Sequence, residues 1–362
     1  MPGFVTHYLF GEEIYHQLKC NSQKKNLFYN RSAYAFGLQG PDLFFYYLPS
    51  YALHRHNLGA LAHTTEPRAF FHGLLESYGR LSSAADRGIA EAYISGFLGH
   101  YLLDTTCHPY IYAMTHYHDK KEKSYFSRHA YLETEIDTEL LARKRHKTPC
   151  EFHAADTIQL TFAQKRVIAG LLYDAYHYAF PELSIHRSTM WMGIFSLPIG
   201  MRILHDETGQ KKVLFRFMEK HFLGYPLFSP LIPSDTLFFR TDPFNLRHAS
   251  WKNPWDATRV STESFFDLYE KSSARCLTMM RKLHTLLHTE PKFFYRWKNS
   301  RICPSMIFIR RARASLLAHA ICGVIISLSL SLISRSGLSA RIGSAESTSS
   351  PAAAIVPLFN AS

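Results

Sequence analysis

Hydrophobic positions recur along this chain mainly at the three-to-four spacing of a helix, a pattern that predicts a mostly α protein. Leu9, Phe10, Ile14 and Leu18 put one apolar face on residues 1–20, with Thr6 placed to cap the helix. The periodicity returns over 68–82 and over 86–108, where Asp86 is a fair N-cap and Pro109 a stop. Residues 125–147 form another amphipathic stretch that closes on the basic run 143–147, favourable at a helix C-terminus. Helices are expected over 157–180 and 261–289 as well, the second beginning at Ser261 and Ser264. A polar turn, CNSQKKN, and a loop rich in Gly and aromatics, AFGLQGPDLFFYYLPSY, separate the first helices. The stretch 215–257 reads as loop, because Pro226, Pro230, Pro233, Pro243 and Pro254 interrupt it. Alternating strand patterns are scarce.

The pattern changes near Asn299, which divides the chain into a domain over 1–298 and an atypical tail over 299–362. Within the tail, Ala314–Ile333 carries no charge and is long enough, as a helix, to cover roughly 30 Å of hydrocarbon. Arg310, Arg311 and Arg313 stand just before it and would keep the preceding domain in the cytoplasm. Four Ser and His319 interrupt the stretch, so the competing expectation is a disordered end.

Composition narrows the class. With 46% hydrophobic and 19% charged residues in 362, the chain as a whole is not disordered. The formal charge of +12 (41 basic against 29 acidic residues) invites a nucleic-acid or membrane-surface reading. Its distribution weakens that reading, since from Arg301 onward six Arg against Glu346 supply +5 of the total. No specific nucleic-acid partner is expected. The six cysteines form no CxxC pair, and MPGFVTHYLFGEEIYHQ has no basic region leading into an apolar one, so the expectation is cytoplasmic.

The clearest chemical signal is histidine and carboxylate at helical spacing. His100, Asp104 and His108 stand at i, i+4, i+8 in GFLGHYLLDTTCHP, and His129, Glu133 and Asp137 repeat that spacing in SRHAYLETEID. Residues four apart share a helix face. Imidazole nitrogen with carboxylate oxygen is the donor set of a hydrolytic zinc. One such pair is common on ordinary helices; two in apolar surroundings, where a buried carboxylate needs a partner, are less so. Further candidates are His7, Asp42 after Gly40-Pro41, and His63 in LGALAHTTEP. HExxH, GxxxxGK[ST] and GxSxG are all absent, so zincin-type protease, nucleotide-driven and serine-hydrolase chemistries lack their parts.

The ordered set His7, Asp42, His63, His100-x3-Asp104, His108, His129-x3-Glu133 resembles the zinc-dependent phospholipase C family, and more distantly the S1/P1-type nucleases. GLQGPDLFFYYLP and GFLGHYLLDTTCHPYIY resemble bacterial intracellular members of that group. The likeness covers roughly residues 1–180, and WKNPWD at 251–256 extends it to about 290. It implies a multi-helix phospholipase C / P1 nuclease-like domain with two or three zinc ions in a cleft. By position, Asp42, His63, His100 and Asp104 would hold one ion, with Asp42 also beside the attacking water as the catalytic carboxylate. His108, His129 and Glu133 would hold a second. Asp104 would bridge to a third, completed by His7 and by the amine and carbonyl of Pro2 once Met1 is removed. The relatives have Trp at that terminus and a longer gap after the residue matching Asp104, which leaves His116 or His118 as alternatives to His108.

The implied activity is hydrolysis of a phospholipid or other phosphoester by water that clustered zinc acidifies to near neutral pH. Contact with a membrane surface, through the Pro- and Phe-rich segment after 215, is part of that expectation. The alternatives are an S1/P1-like nuclease or phosphatase, and a zinc-binding scaffold without turnover.

Overall fold

The computed structural model describes residues 3–47, 49, 57–64, 66–116, 125–234 and 242–288. In chain order it comprises α1 (Phe4–Gln17), α2 (Asn21–Tyr29), α3 (Arg31–Gly37), a 3-10 helix (Gly40–Phe45), α4 (Leu58–Thr64), α5 (Pro67–Gly79) and α6 (Ala84–Met114). Then follow α7 (Tyr125–Arg145), α8 (Ala154–Thr157), α9 (Phe162–Ala179), α10 (Arg187–Leu204) and α11 (Gln210–Phe222). A short hairpin, β1 (Trp251–Asn253) and β2 (Asp256–Ser261), precedes the final described helix, α12 (Phe265–His288). The protein is mostly α, as the periodicity predicts.

Helix α6 is the axis of the fold. Its 31 residues span about 46 Å. It is apolar on several sides, with Ile89, Tyr93, Phe97, Leu103, Tyr110 and Ile111 all buried, because α1, α3, α5, α7, α9 and α12 pack around it. Against α3 the approach is backbone to backbone. A Cβ on Gly96 would stand 2.2 Å from the Tyr34 carbonyl oxygen, and one on Gly37 2.2 Å from that of Tyr93. No larger residue fits this crossing, which delivers the end of α3 to the middle of α6.

The helix starts earlier and ends later than its sequence suggests. Ser83 is the N-cap, its Oγ accepting from the Asp86 backbone N–H, and the helix runs through Pro109 to Met114. An internal proline costs about 3 kcal/mol. Here tertiary contacts hold the last turn: Tyr110 is buried, donates to the Pro243 carbonyl at 2.7 Å and packs on Trp251 and Phe265.

Other elements depart from the pattern too. Helices α2 and α3 occupy the expected turn and part of the expected loop. Helix α10 and most of α11 lie where no helix is expected, and the segment after 215 also holds the hairpin. Thr6 does not cap α1; the helix begins at Phe4 and is capped from a distance. Asp137 of α7 accepts from the backbone N–H groups of Val5 (3.0 Å) and Thr6 (2.8 Å) and from the Thr6 hydroxyl (2.6 Å). Ser264 does begin α12, bonded reciprocally with Asp267, whereas Ser261 ends β2.

The four described cysteines, Cys20, Cys107, Cys150 and Cys276, are free thiols. Among the described residues no helix is long and apolar enough to cross a membrane. The tail, with its 314–333 stretch, lies outside the described residues, as do Pro2 and His118.

Candidate metal centre

Five elements converge on one buried point. Helix α6 supplies His100, Asp104 and His108 from a single face, α1 supplies His7, the 3-10 helix Asp42, α4 His63, and α7 His129 and Glu133. Asp104 is the hub. Its Oδ1 lies 3.1 Å from His7 Nε2, while its Oδ2 lies 3.4 Å from His63 Nε2, 3.3 Å from His100 Nε2 and 3.5 Å from His108 Nδ1. Asp42 Oδ1 is 3.0 Å from His63 Nε2, and His63 Nε2 is 3.3 Å from His100 Nε2. On the far side, Glu133 Oε1 is 2.8 Å from His129 Nε2 and 4.0 Å from His108 Nε2. The structure therefore brings together eight of the nine residues singled out as ligands; Pro2 is the one outside the described residues.

The surroundings orient these rings. His63 Nδ1 meets the Gly59 carbonyl at 2.7 Å, and His100 Nδ1 meets the Leu38 carbonyl at 3.1 Å. An Nδ1–H donated to a carbonyl leaves the Nε2 lone pair free to face the centre. Leu38 is available because the α3–α6 crossing is so close. Gly40, at φ +51°, gives His100 its space, since a Cβ there would come within 2.2 Å of the imidazole. Asn57 ties α4 to the 3-10 helix, its Nδ2 donating to the Phe44 carbonyl and its Oδ1 accepting from the Ala60 N–H, both at 2.9 Å.

Burial and mutual charge set the protonation states. Burial, reinforced by His100, lowers His7 to about 4, and burial holds His108 and His129 well below the ordinary histidine value. All three are neutral at pH 7, the form that ligates a metal. Burial opposes charge on Asp104, but the imidazoles of His108 and His100 outweigh it and hold that carboxyl well below the usual range. Burial opposes charge on His63 as well; Asp104 and Asp42 overcome it and push the ring up to about 10. Burial raises Glu133 well above a normal glutamate, as expected of a carboxylate awaiting a cation.

The donor set fits zinc. Both oxygens of Asp104, Oδ1 of Asp42 and both ring nitrogens of His7 and of His108 are buried without a hydrogen-bond partner. Native interiors rarely leave polar atoms in that state unless an ion or water completes them. Their separations of 3.0–3.5 Å match the edge of a tetrahedron with bonds of 2.0–2.1 Å, roughly 3.3 Å. His7, His63 and His100 with Asp42 and Asp104 form one overlapping donor group, and His108, His129 and Glu133 form another. His63 and His129 keep 12% and 13% of their side chains exposed while His7 keeps none, so solvent reaches the cluster from the His63–His129 side.

His108 faces the cluster, whereas His116 is exposed in a left-handed turn after α6. Asp137, which shares the spacing of His129 and Glu133, points to the start of α1 and positions the helix that carries His7. Sequence reasoning missed Gly40, Asn57 and the two carbonyls that orient the rings; only the GP before Asp42 hinted at a special backbone. It also missed a second group, Glu91 with His284 and His288, in which α12 meets α6.

The helical scaffold thus buries imidazoles and carboxylates around one hub, a donor set that could hold zinc. Residues 6–178 match the model of the family described as zinc-dependent phospholipase C, a family of zinc-dependent phosphoric ester hydrolases, and over this stretch the chain is similar to it. The match ends before WKNPWD and the hairpin. No curated protein and no solved structure matches the chain.

Proposed function

We propose that the chain is a phospholipase C-type phosphodiester hydrolase, in which water attacks phosphorus and the bond to the diacylglycerol oxygen breaks, releasing the phosphorylated headgroup. The observation that carries this reading is the shared hub, a buried Asp104 whose two oxygens face four imidazoles. Asp42, His63, His100 and Asp104 would hold one zinc, His108, His129 and Glu133 a second, and Asp104 with His7 and the Pro2 terminus a third. Bound there, zinc supplies positive charge to the phosphate oxygens and leaving alkoxide, and acidifies water. Asp42 orients the attacking water and takes up its proton at a carboxylate oxygen. The carbonyls of Gly59 and Leu38 keep His63 and His100 from rotating away. The partly exposed His63 and His129 edges admit the phosphate, and the buried α6 face excludes bulk water.

Plasma emission on the purified full chain is expected to give two or three zinc per molecule, with EDTA-sensitive release of phosphorylated headgroup from phospholipid. Nucleotide release from single-stranded DNA in place of headgroup release would assign a nuclease. Zinc without hydrolysis of any phosphoester in a broad panel, with Asp42→Asn altering metal retention alone, would assign a scaffold.

A further inference from the structure

Helices α10 and α11 put apolar side chains outward. On α10, Met192, Phe195, Ile199 and Ile203 recur at three- and four-residue spacing and are all exposed. The opposite face of the helix, Met190, Ile194, Leu197 and Met201, is buried. Helix α11 exposes Val213, Leu214 and Phe217 on one side, and Phe222 at its end is 84% exposed. Large apolar surfaces on a folded protein ordinarily mark something that covers them.

The charges around this surface are sorted by sign. Residues 187–223 contain three acids. Asp206 is turned inward to the N–H groups of Lys211 and Lys212, and Glu219 to the N–H groups of Leu227, Phe228 and Ser229, leaving Glu207 exposed. Arg216 and Lys220 are exposed beside the α11 apolar residues and make no ion pair among the described residues. Lys165 lies 4.4 Å over the Phe195 ring. Exposed acids here are few, Glu207 and the Asp156 that faces Arg202 at 4.0 Å, and outward apolar and aromatic groups flanked mainly by cations are the pattern of a helix lying in a membrane interface.

Both helices sit one element away from the metal cluster. Gly193 and Gly200 of α10 lie against Phe44 and Tyr46, where an added Cβ would come within 2.7 and 2.2 Å, and these aromatics flank Asp42. Helix α11 rests on the 3-10 helix Ser229–Leu231, which receives the Thr134 hydroxyl beside Glu133 through the Pro230 carbonyl at 2.8 Å.

We infer that the outer faces of α10 and α11 dock on an anionic lipid surface, so that the enzyme works at the membrane that holds its substrate. This rests on the phospholipase reading. Charge selects the occupant: the chain's own tail, with six Arg and one acid, has the sign of this face, and so does a second copy of a chain carrying +12. Phospholipid phosphates have the opposite sign.

The test is vesicle flotation of the full chain with phosphatidylcholine alone and with added phosphatidylglycerol, alongside hydrolysis of a short-chain phospholipid below its micelle concentration. Binding is expected to favour the anionic vesicles and to fall with salt. Phe217→Ser with Phe222→Ser, both at exposed positions, should weaken it by about tenfold or more. Phe217→Leu should retain it, and Arg216→Gln with Lys220→Gln should remove the anionic preference. Hydrolysis of monomeric lipid should be unchanged in every variant. If monomeric lipid is cleaved but the serine variants float like wild type, the docking face is wrong and the phospholipase reading stands. If they lose flotation while no lipid is cleaved, the face stands and that reading falls. Absence of vesicle binding together with self-association that the serine variants abolish would overturn the docking face in favour of a protein interface.

Discussion

Two groups of histidine and carboxylate gather at Glu91 and at Asp104 of α6 and differ in what completes them. In the Glu91 group, His284 Nδ1 reaches one carboxylate oxygen at 2.6 Å, while His288 Nε2 and Asn26 Nδ2 reach the other at 3.1 and 3.0 Å. His284 Nε2 is bonded in turn to the Ser22 hydroxyl at 3.0 Å. Buried Glu91 is thus satisfied by donors, and the group pins α12 and α2 onto α6. In the Asp104 group the contacts are longer, 3.1–3.5 Å, and both Asp104 oxygens, Asp42 Oδ1 and the ring nitrogens of His7 and His108 have no hydrogen-bond partner. Histidine and carboxylate make a structural tie in one place and a candidate cation cradle in the other. The deciding quantity is whether protons already present complete the shell.

The largest effect expected to test this contrast is on metal and turnover. Asp104→Asn should reduce zinc content by plasma emission and lower headgroup release by more than the roughly 10–100-fold that loss of an outer partner costs. Glu91→Ala should leave zinc content and turnover intact but cost about 3 kcal/mol in urea unfolding, since it strands two imidazoles and an amide. Zinc loss in the Glu91 variant equal to that in the Asp104 variant would erase the distinction. Gly40→Ala combines a left-handed backbone with a collision on His100; it should cost about 1–3 kcal/mol and weaken zinc retention while every ligand remains. Asp137→Asn removes the charge that caps α1 and should cost about 1 kcal/mol by thermal unfolding, with a smaller loss of zinc.

A further test is a pH dependence. In zinc-free protein His63 is raised from 6.5 to about 10, so protonation favours the folded state. That stability is fully present below pH 6.5 and is lost as pH rises toward 10. Urea midpoints of EDTA-treated protein should fall across this window, whereas zinc-loaded protein, in which His63 is a ligand, should not follow the same course. A flat profile for both would mean that Asp42 and Asp104 do not hold a proton on that ring.

Much of this centre was legible in the chain. His100, Asp104 and His108, like His129 and Glu133, are neighbours by helical geometry alone, and the apolar runs around them predict burial. The ordered set also carried the family resemblance through to His7, Asp42 and His63. Other features were hidden for identifiable reasons. Pro109 signals a helix end, but contacts of Tyr110 with the distant hairpin outweigh its cost. Helix α11 fell within a proline-interrupted stretch, and its apolar residues face outward, where they contribute no core pattern. The Glu91 group joins residues almost two hundred positions apart, beyond the reach of any local spacing rule.

By itself, then, the sequence determined the helical class, the donor chemistry and which side chains share a face, because a residue's position on its own helix depends only on the 3.6-residue period. The tertiary structure alone decided which faces meet. The Gly37–Gly96 crossing carries the Leu38 carbonyl to His100, and Asp137 aims α1 so that His7 reaches Asp104. Whether a buried carboxylate is then satisfied or waits for a cation follows from the donors that packing brings within 3 Å or so, a property no single segment possesses.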